Sequence, residues 1–257
     1  MSTTNQTRRP LVAGNWKLHK TIGESVALVR EIKTALAAES RCEVVVAPVF
    51  TALAAVRDEI KGSVIKLSAQ NVFWESRGAF TGEVSALLLR DVGCDYVIVG
   101  HSERRQLFGE TDASVNKKVK AVLASSISVI VCVGESLEER KAGKTLQIVS
   151  SQVRSALDGL ALDHLPNVVI AYEPVWAIGT GVNAEPEEVQ QAHETIRGLV
   201  AKQFNDSLAK STRILYGGSV KPENADLLMG QPDVDGALVG GASLTADSFI
   251  GIVKAAG

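Results

Sequence analysis

The chain has 257 residues, 46% of them hydrophobic and 22% charged, and its 27 basic and 29 acidic side chains give a formal net charge of −2. This composition excludes a disordered chain, and the balanced charge offers no basic surface for nucleic acid or for an anionic membrane. No apolar run is long enough for a transmembrane helix, and because residues 1–10 are polar we expect no signal peptide.

Short runs rich in β-branched residues recur along the chain and do not alternate strictly with polar residues. Such runs are typical of parallel strands that are covered on both faces. Eight strands are predicted on this basis: Leu11–Ala13, Val44–Ala47, Val64–Leu67, Tyr96–Val99, Val129–Val133, Val168–Ala171, Ile214–Tyr216 and Gly236–Val239.

Amphipathic segments separate these runs. In the first segment the apolar residues share one face of a helix: Ile22, Val26, Val29, Ile32 and Leu36. A later helix is predicted to begin at Pro186, which suits a first helical turn, with Glu187 and Glu188 at the positive end of the helix dipole. We expect His193, four residues after Val189, to pack against the sheet.

Strands that each precede a helix can close into a (β/α)8 barrel or form a doubly wound open sheet. No GxGxxG motif follows the first strand, and no linker rich in Pro, Gly or Ser divides the chain. We therefore predict an α/β fold, a single-domain (β/α)8 TIM barrel over residues 11–257, preceded by a polar N-terminal extension of residues 1–10.

Two connections stand out. The segment Asn71–Glu83 exceeds the usual loop length and carries Phe73, Trp74 and Phe80. These rings either fold back on their own barrel or are buried by a second subunit. The segment Pro174–Gly181 is an apolar run that ends in glycine-rich sequence, which predicts a mobile lid with hinges at its ends.

Functional groups of such barrels lie where strands end and the following loops begin. Glu173 ends the sixth strand, and a covering lid would desolvate its carboxylate and raise its pKa toward that of a general base; a solvated loop glutamate is the alternative. His101 ends the fourth strand at a predicted helix start, where main-chain N–H groups favour a neutral imidazole. A structural histidine is equally compatible with this position. Gln70 ends the third strand and meets the same criterion.

An anion site is predicted after strands seven and eight. Small residues in Tyr216–Val220 and Val239–Ala242 expose main-chain N–H groups, as phosphate-binding turns of barrels do, although simple tight turns would have similar sequences. Lys17 and Asn15 follow the first strand. A lysine at this position is usually a solvated surface charge, and a functional role is indicated only if an anion binds nearby. A base, a neutral imidazole, a lysine and a phosphate site together favour proton abstraction next to a carbonyl in a small phosphorylated sugar.

The three cysteines, Cys42, Cys94 and Cys132, share no CxxC spacing, and an odd number does not make a disulfide framework. We therefore expect reduced thiols and a cytoplasmic location. The His, Asp and Glu residues show no metal-ligand spacing, so neither a metal nor another cofactor is expected.

The motifs at these positions resemble those of the triosephosphate isomerase family along nearly the whole chain. The resemblance rests on Gly14–Lys17, Gln70–Asn71, Gly78–Gly82, Gly100–Arg104, Val131–Glu135, Ala171–Gly181, Tyr216–Val220 and Gly240–Gly241. It implies a cofactor-free step of glycolysis and gluconeogenesis, the interconversion of dihydroxyacetone phosphate and D-glyceraldehyde 3-phosphate through an enediol(ate).

The resemblance also implies a role for each site residue. Glu173 would move the proton between neighbouring carbons, His101 would shuttle protons between the two oxygens, and Lys17 and Asn15 would stabilise the oxyanion. Main-chain amides would bind the phosphate at Gly179, Ser219, Gly240 and Gly241.

A homodimer follows from the same resemblance. The loop Asn71–Glu83 would interdigitate with a second subunit, and Thr81 would approach the site near Asn15 and Lys17 of that subunit. Glu103 would lie beside the lysine, and Cys132 would lie next to the reacting groups without joining them. The sequence departs from the family at Val182, where a lysine commonly follows the lid, and at Val49, which replaces a proline.

Two other functions compete with this interpretation. A sugar-phosphate epimerase of the metal-using kind needs His and Asp ligands at several strand ends, and only His101 qualifies. A non-catalytic barrel used for binding would not need Lys17, His101, Glu173 and the lid together.

Overall fold

The structure is a computed structural model that describes residues 8–36, 41–177 and 184–257. Its strands are β1 (Leu11–Asn15), β2 (Glu43–Ala47), β3 (Ile65–Ala69), β4 (Tyr96–Val99), β5 (Ser128–Val133), β6 (Val168–Tyr172), β7 (Arg213–Tyr216) and β8 (Gly236–Val239). Its helices are α1 (Ile22–Ala35), α2 (Leu53–Ile60), α3 (Ala86–Val92), α4 (Ser102–Leu107), α5 (Asp112–Ala124), α6 (Leu137–Lys141), α7 (Thr145–Ala156), α8 (Pro186–Gln203), α9 (Asp206–Ser211), α10 (Pro222–Met229) and α11 (Ala246–Ala255).

The strands form one closed parallel barrel in chain order. β1 pairs with β2, where Leu11 lies opposite Glu43, and also with β8, where Leu11 lies opposite Gly236. All eight predicted strands are confirmed, with differences of a residue or two at their ends. The (β/α)8 barrel is therefore confirmed, and all carboxyl ends of the strands meet at one rim.

Both faces of each strand are covered, which explains the uninterrupted apolar runs. Along β2, Val44 and Val46 pack with the surrounding helices, whereas Val45 and Ala47 pack with residues of other strands inside the barrel. Because successive side chains of a strand point to opposite faces, each run must be apolar at every position to fill both layers.

The helices cover the outer face of the barrel by their apolar sides. In α1, Thr21 caps the first turn together with Glu24, and Val29 and Ile32 are fully buried, while Ile22 stays half exposed. The helix α8 begins at Pro186 as predicted, and His193 is buried against the sheet as predicted. The predicted helical faces therefore hold, apart from the exposed first residue of α1.

The loop Asn71–Glu83 stacks its aromatic rings on one another. The centroid of Phe73 lies 4.3 Å from that of Trp74 and 4.8 Å from that of Phe80. Lys117 of α5 places its ammonium 5.2 Å from the Trp74 ring, and Phe80 remains 43% exposed. The loop is therefore ordered by its own rings while one of them still faces solvent.

Candidate active site

A cavity of about 740 Å³ opens at the carboxyl ends of the strands. Seven residues that the sequence marks as candidates line it: Asn15, Lys17, His101, Glu173, Ser219, Gly240 and Gly241. These residues lie at or just after the carboxyl ends of β1, β4, β6, β7 and β8, and the closed barrel brings them together. Gly179 and Val182 lie outside the described residues.

Glu173 and His101 form a buried pair at the wall of this cavity. Oε1 of Glu173 lies 3.0 Å from Nε2 of His101, and Oε2 accepts a hydrogen bond of 2.9 Å from the N–H of Ser102 at the start of α4. The two residues are 2% and 5% exposed, respectively. The carboxylate is thus held by the imidazole on one side and by a helix N-terminus on the other.

The sequence predicts that a covering lid raises the pKa of Glu173, whereas in the described arrangement the pKa of Glu173 is lowered. Burial acts to raise the pKa of Glu173, but the imidazole of His101 and the N–H of Ser102 outweigh it and lower the pKa. The carboxylate is therefore ionised as long as these contacts persist. Residues 178–181 of the predicted lid lie outside the residues that the structure describes.

The pKa of His101 responds to the same contact in the opposite sense. Burial acts to lower it, but the Glu173 carboxylate outweighs burial and raises the pKa of His101. Nδ1 of His101 accepts a hydrogen bond of 3.3 Å from the N–H of Glu103, so a neutral ring carries its proton on Nε2. The contact with Glu173 therefore works against the neutral imidazole that the sequence predicts.

Two glycines fix the main chain of Glu173 from either side. A Cβ on Gly134, after β5, would lie 1.8 Å from the carbonyl oxygen of Glu173, and a Cβ on Gly217, after β7, would lie 2.7 Å from its Cγ. Gly217 also donates its N–H to the carbonyl of Tyr172 at 2.7 Å. The sequence predicts Gly217 only as part of a phosphate-binding turn and predicts no packing role for Gly134. The position of both glycines directly after a strand is the signal for this close approach.

Lys17 occupies a strained main-chain conformation at the first strand end. Its φ is +50°, its N–H donates to Oδ1 of Asn15 at 3.1 Å, and its carbonyl accepts from Nε2 of Gln70 at 2.9 Å. The ammonium lies 2.7 Å from Oε1 of Glu103. Gln70, which the sequence marked without a role, therefore holds the main chain that places the lysine.

The turns after β7 and β8 form the other end of the cavity. Asn224 donates to the carbonyl of Ser219 at 3.2 Å, and Ser243 donates its hydroxyl to the carbonyl of Gly240 at 2.7 Å. A Cβ on Gly240 would lie 3.3 Å from Cε of Lys17, so the lysine stem packs directly on this turn. Small residues thus bring a cation and a main-chain turn to one place.

Two further candidates lie outside the cavity wall. Thr81 is exposed near the tip of the loop Asn71–Glu83 and does not line the cavity of its own chain. Cys132 is fully buried inside the barrel, where burial, followed by the charge of Glu173, raises the pKa of its thiol. Cys132 is therefore close to the base but away from solvent.

Within residues 8–36, 41–177 and 184–257, no three His, Cys, Asp or Glu side chains are grouped as metal ligands would be. In the same part of the chain, no helix combines the length and the apolar character needed to cross a membrane.

The fold and the site define a (β/α)8-barrel enzyme of acid–base chemistry, with a carboxylate, an imidazole and a lysine at one rim. The family model of triosephosphate isomerase matches residues 10–256. The chain belongs to the triosephosphate isomerase family.

Curated relatives agree with this family over nearly full length. A triosephosphate isomerase of Syntrophotalea carbinolica is 58% identical, and one of Pelobacter propionicus is 56% identical. A third, from Chloroflexus aurantiacus, is 55% identical. Each match covers 96% of this chain and 98% of the relative, so no large segment of either is left unmatched.

Proposed function

We propose that this chain interconverts dihydroxyacetone phosphate and D-glyceraldehyde 3-phosphate by proton transfer through an enediol(ate), with Glu173 as the base. The observation that carries the proposal is the buried Glu173 carboxylate, 3.0 Å from Nε2 of His101, in a cavity that also contains Lys17. Family membership supports the reaction, and the site geometry supports the roles of the side chains.

Glu173 must leave its present partners to act. Both carboxylate oxygens are engaged, one by His101 and one by Ser102. Their effect on its pKa keeps the carboxylate ionised and able to accept a proton. A substrate carbon that takes their place meets the same buried carboxylate with fewer stabilising contacts, and therefore meets a stronger base.

His101 becomes the proton donor once Glu173 has turned to the substrate. The carboxylate that favours the imidazolium is then no longer in contact, whereas burial and the charge of Lys17 still favour the neutral ring. The hydrogen bond from the N–H of Glu103 to Nδ1 leaves the proton on Nε2, the atom that contacts Glu173 in this structure. Nε2–H can then donate to one substrate oxygen and move protons between the two.

Lys17 and the turns at the far end of the cavity serve the negative charges of the substrate. The ammonium of Lys17, with Asn15 beside it, stabilises the oxyanion that develops as Glu173 removes the proton. We assign the phosphate to main-chain amides of Ser219, Gly240 and Gly241, and to Gly179 of the lid.

A coupled assay on D-glyceraldehyde 3-phosphate, run with and without a chelator, tests this function. We expect the same turnover in both conditions, because every proposed step uses side chains of this chain. Turnover that depends on a metal would favour the sugar-phosphate epimerase. A complete absence of isomerisation by folded protein would favour the non-catalytic barrel.

We also propose that the protein is a homodimer through the loop Asn71–Glu83. A groove of about 700 Å³ adjoins Asn15 and Lys17, and it exposes apolar surface on Leu18, Phe50 and Phe108. A second copy of the loop, with Phe80 exposed, matches this surface in chemistry, and it would bring the partner's Thr81 toward the site. Sedimentation at micromolar concentration tests the proposal, and a fully active monomer would contradict it.

A cytoplasmic location and the division into an extension and a barrel complete the proposal. The three cysteines, all of which are described, are buried and form no disulfide, as suits a reducing compartment. We divide the chain into an extension of residues 1–10 and a barrel domain of residues 11–257. Arg8 lies 2.5 Å from Asp235, so the end of the extension is held at the amino-terminal rim of the barrel.

A further inference from the structure

The turn after β5 contacts the main chain on both sides of the base. The carbonyl of Val133 accepts the N–H of Glu173 at 2.7 Å, and the carbonyl of Glu135 accepts the N–H of Val175 at 3.1 Å. Between them, Gly134 approaches the carbonyl of Glu173 too closely for any side chain. Three consecutive residues, the last of β5 and the first two of the turn, therefore support the main chain of the base and of the first residues of the predicted lid.

The Glu135 side chain adds a second link from the same turn. Its fully buried carboxylate accepts hydrogen bonds from the hydroxyl of Tyr172 at 3.1 Å and from Nε1 of Trp176 at 3.0 Å. Tyr172 directly precedes the base in sequence, and Trp176 follows it by three residues. A displacement of the turn would thus be transmitted to Glu173 through its main chain and through its neighbours on both sides.

Gln152 of α7 holds this turn in place. Its Oε1 accepts the N–H of Gly134 at 2.7 Å, and its Nε2 donates to the carbonyl of Gly134 at 3.2 Å. The Gln152 side chain therefore bonds both the N–H and the carbonyl of Gly134. Gly134 has to be glycine because of the close approach to Glu173, and glycine has the greatest main-chain freedom of any residue. Gln152 does not line the substrate cavity; it lines a separate cavity of about 400 Å³, to which Gly134 and Glu173 also contribute.

We propose that Gln152 is a positioning residue for the catalytic base: it fixes Gly134 from an outer helix, and Gly134 in turn fixes the main chain of Glu173. The proposal rests on the proposed role of Glu173 as the base. The described hydrogen bonds of Gln152 are both to Gly134, and Gln152 does not line the cavity that holds His101 and the turns assigned to the phosphate. Its loss should therefore change how the proton is removed and leave substrate binding largely intact, because small displacements of a reacting group cost rate steeply.

Gln152→Met tests the proposal, since methionine has a similar length and removes both hydrogen bonds. We expect kcat to fall about tenfold while KM for D-glyceraldehyde 3-phosphate stays within about twofold of the parent value. Gln152→Glu is a second variant with a smaller change of shape, and it loses the donor to the Gly134 carbonyl. It keeps the test available if the methionine variant is insoluble, and we expect the same direction of change.

Asn116→Leu is the matched control. Nδ2 of Asn116, on α5, donates to the carbonyls of Ala156 and Asp158 at 3.1 and 3.0 Å and so pins another turn, away from Glu173. We expect Gln152→Met and Asn116→Leu each to lower the melting temperature, and only Gln152→Met to lower kcat. An equal fall of kcat in both, or an unchanged kcat in both Gln152 variants, would overturn the proposal.

A double variant shows whether Gln152 acts through the base. In the Glu173→Gln background, Gln152→Met should lower kcat by less than about twofold, because the base that it positions is already absent. A further tenfold loss would overturn the proposal. Near-normal activity of Glu173→Gln alone would instead contradict the assignment of the base, so the two failures are distinguishable.

Discussion

Nε2 of His101 lies 3.0 Å from Oε1 of Glu173, so the proposed acid and base of the reaction are each other's partners. The contact lowers the pKa of the carboxylate and raises that of the imidazole, in each case against the effect of burial. A substrate that separates the pair removes both shifts at once. The Glu173 carboxylate then becomes a stronger base, and the His101 imidazole is less readily protonated. Proton abstraction next to a carbonyl needs such a base together with a neutral proton donor.

Glu173→Gln is expected to lower kcat by at least about 10²- to 10⁴-fold, because the amide cannot accept the proton. Its oxygen can still accept the N–H of Ser102, so the fold should be retained. The measurement is kcat in the coupled assay, with circular dichroism as the control for folding. Activity close to that of the parent protein would remove Glu173 from the role of base.

His101→Gln is expected to lower kcat by about 10²- to 10⁴-fold and also to move the acid limb of kcat/KM to higher pH. The imidazole lowers the pKa of Glu173 against burial, so its removal lets burial raise that pKa. A larger fraction of Glu173 is then protonated, and inactive, at a given acidic pH. The pH profile of the residual activity measures this shift; an unmoved limb would show that His101 does not tune the base.

The fold and most of the site could be predicted from the sequence because both depend on local patterns. The runs that became β1 to β8 are apolar on both faces, and residues at strand ends such as Lys17 and Glu173 must meet at one rim once the barrel closes. The direction of the pKa of Glu173 could not be predicted, because it depends on contacts with residues far away in sequence. The hydrogen bonds between Gln152 of α7 and Gly134 after β5 could not be predicted for the same reason.

His193→Gln tests a pH dependence of stability that has its origin away from the site. Burial lowers the pKa of His193 to about 4, so the folded protein keeps the ring neutral where the unfolded chain, with a pKa of about 6.5, binds a proton. Stability should therefore fall as the pH decreases from about 6.5 to 4, by about 3 kcal/mol in total from this residue. In urea unfolding, the free energy of unfolding of His193→Gln should fall less over this pH range than that of the parent protein. An identical fall would assign the effect to other groups.

Gly217→Ala tests whether the close packing around Glu173 limits the base. The added Cβ would lie 2.7 Å from Cγ of Glu173, so the side chain of the base must shift. The residues assigned to the phosphate, Ser219, Gly240 and Gly241, are unchanged, and we expect kcat to fall by about tenfold or more with a smaller change in KM. The control is Gly198→Ala in α8, where a Cβ meets nothing within 4 Å and alanine favours the helix. Equal activity of the two alanine variants would show that the main-chain approach at Gly217 does not constrain catalysis.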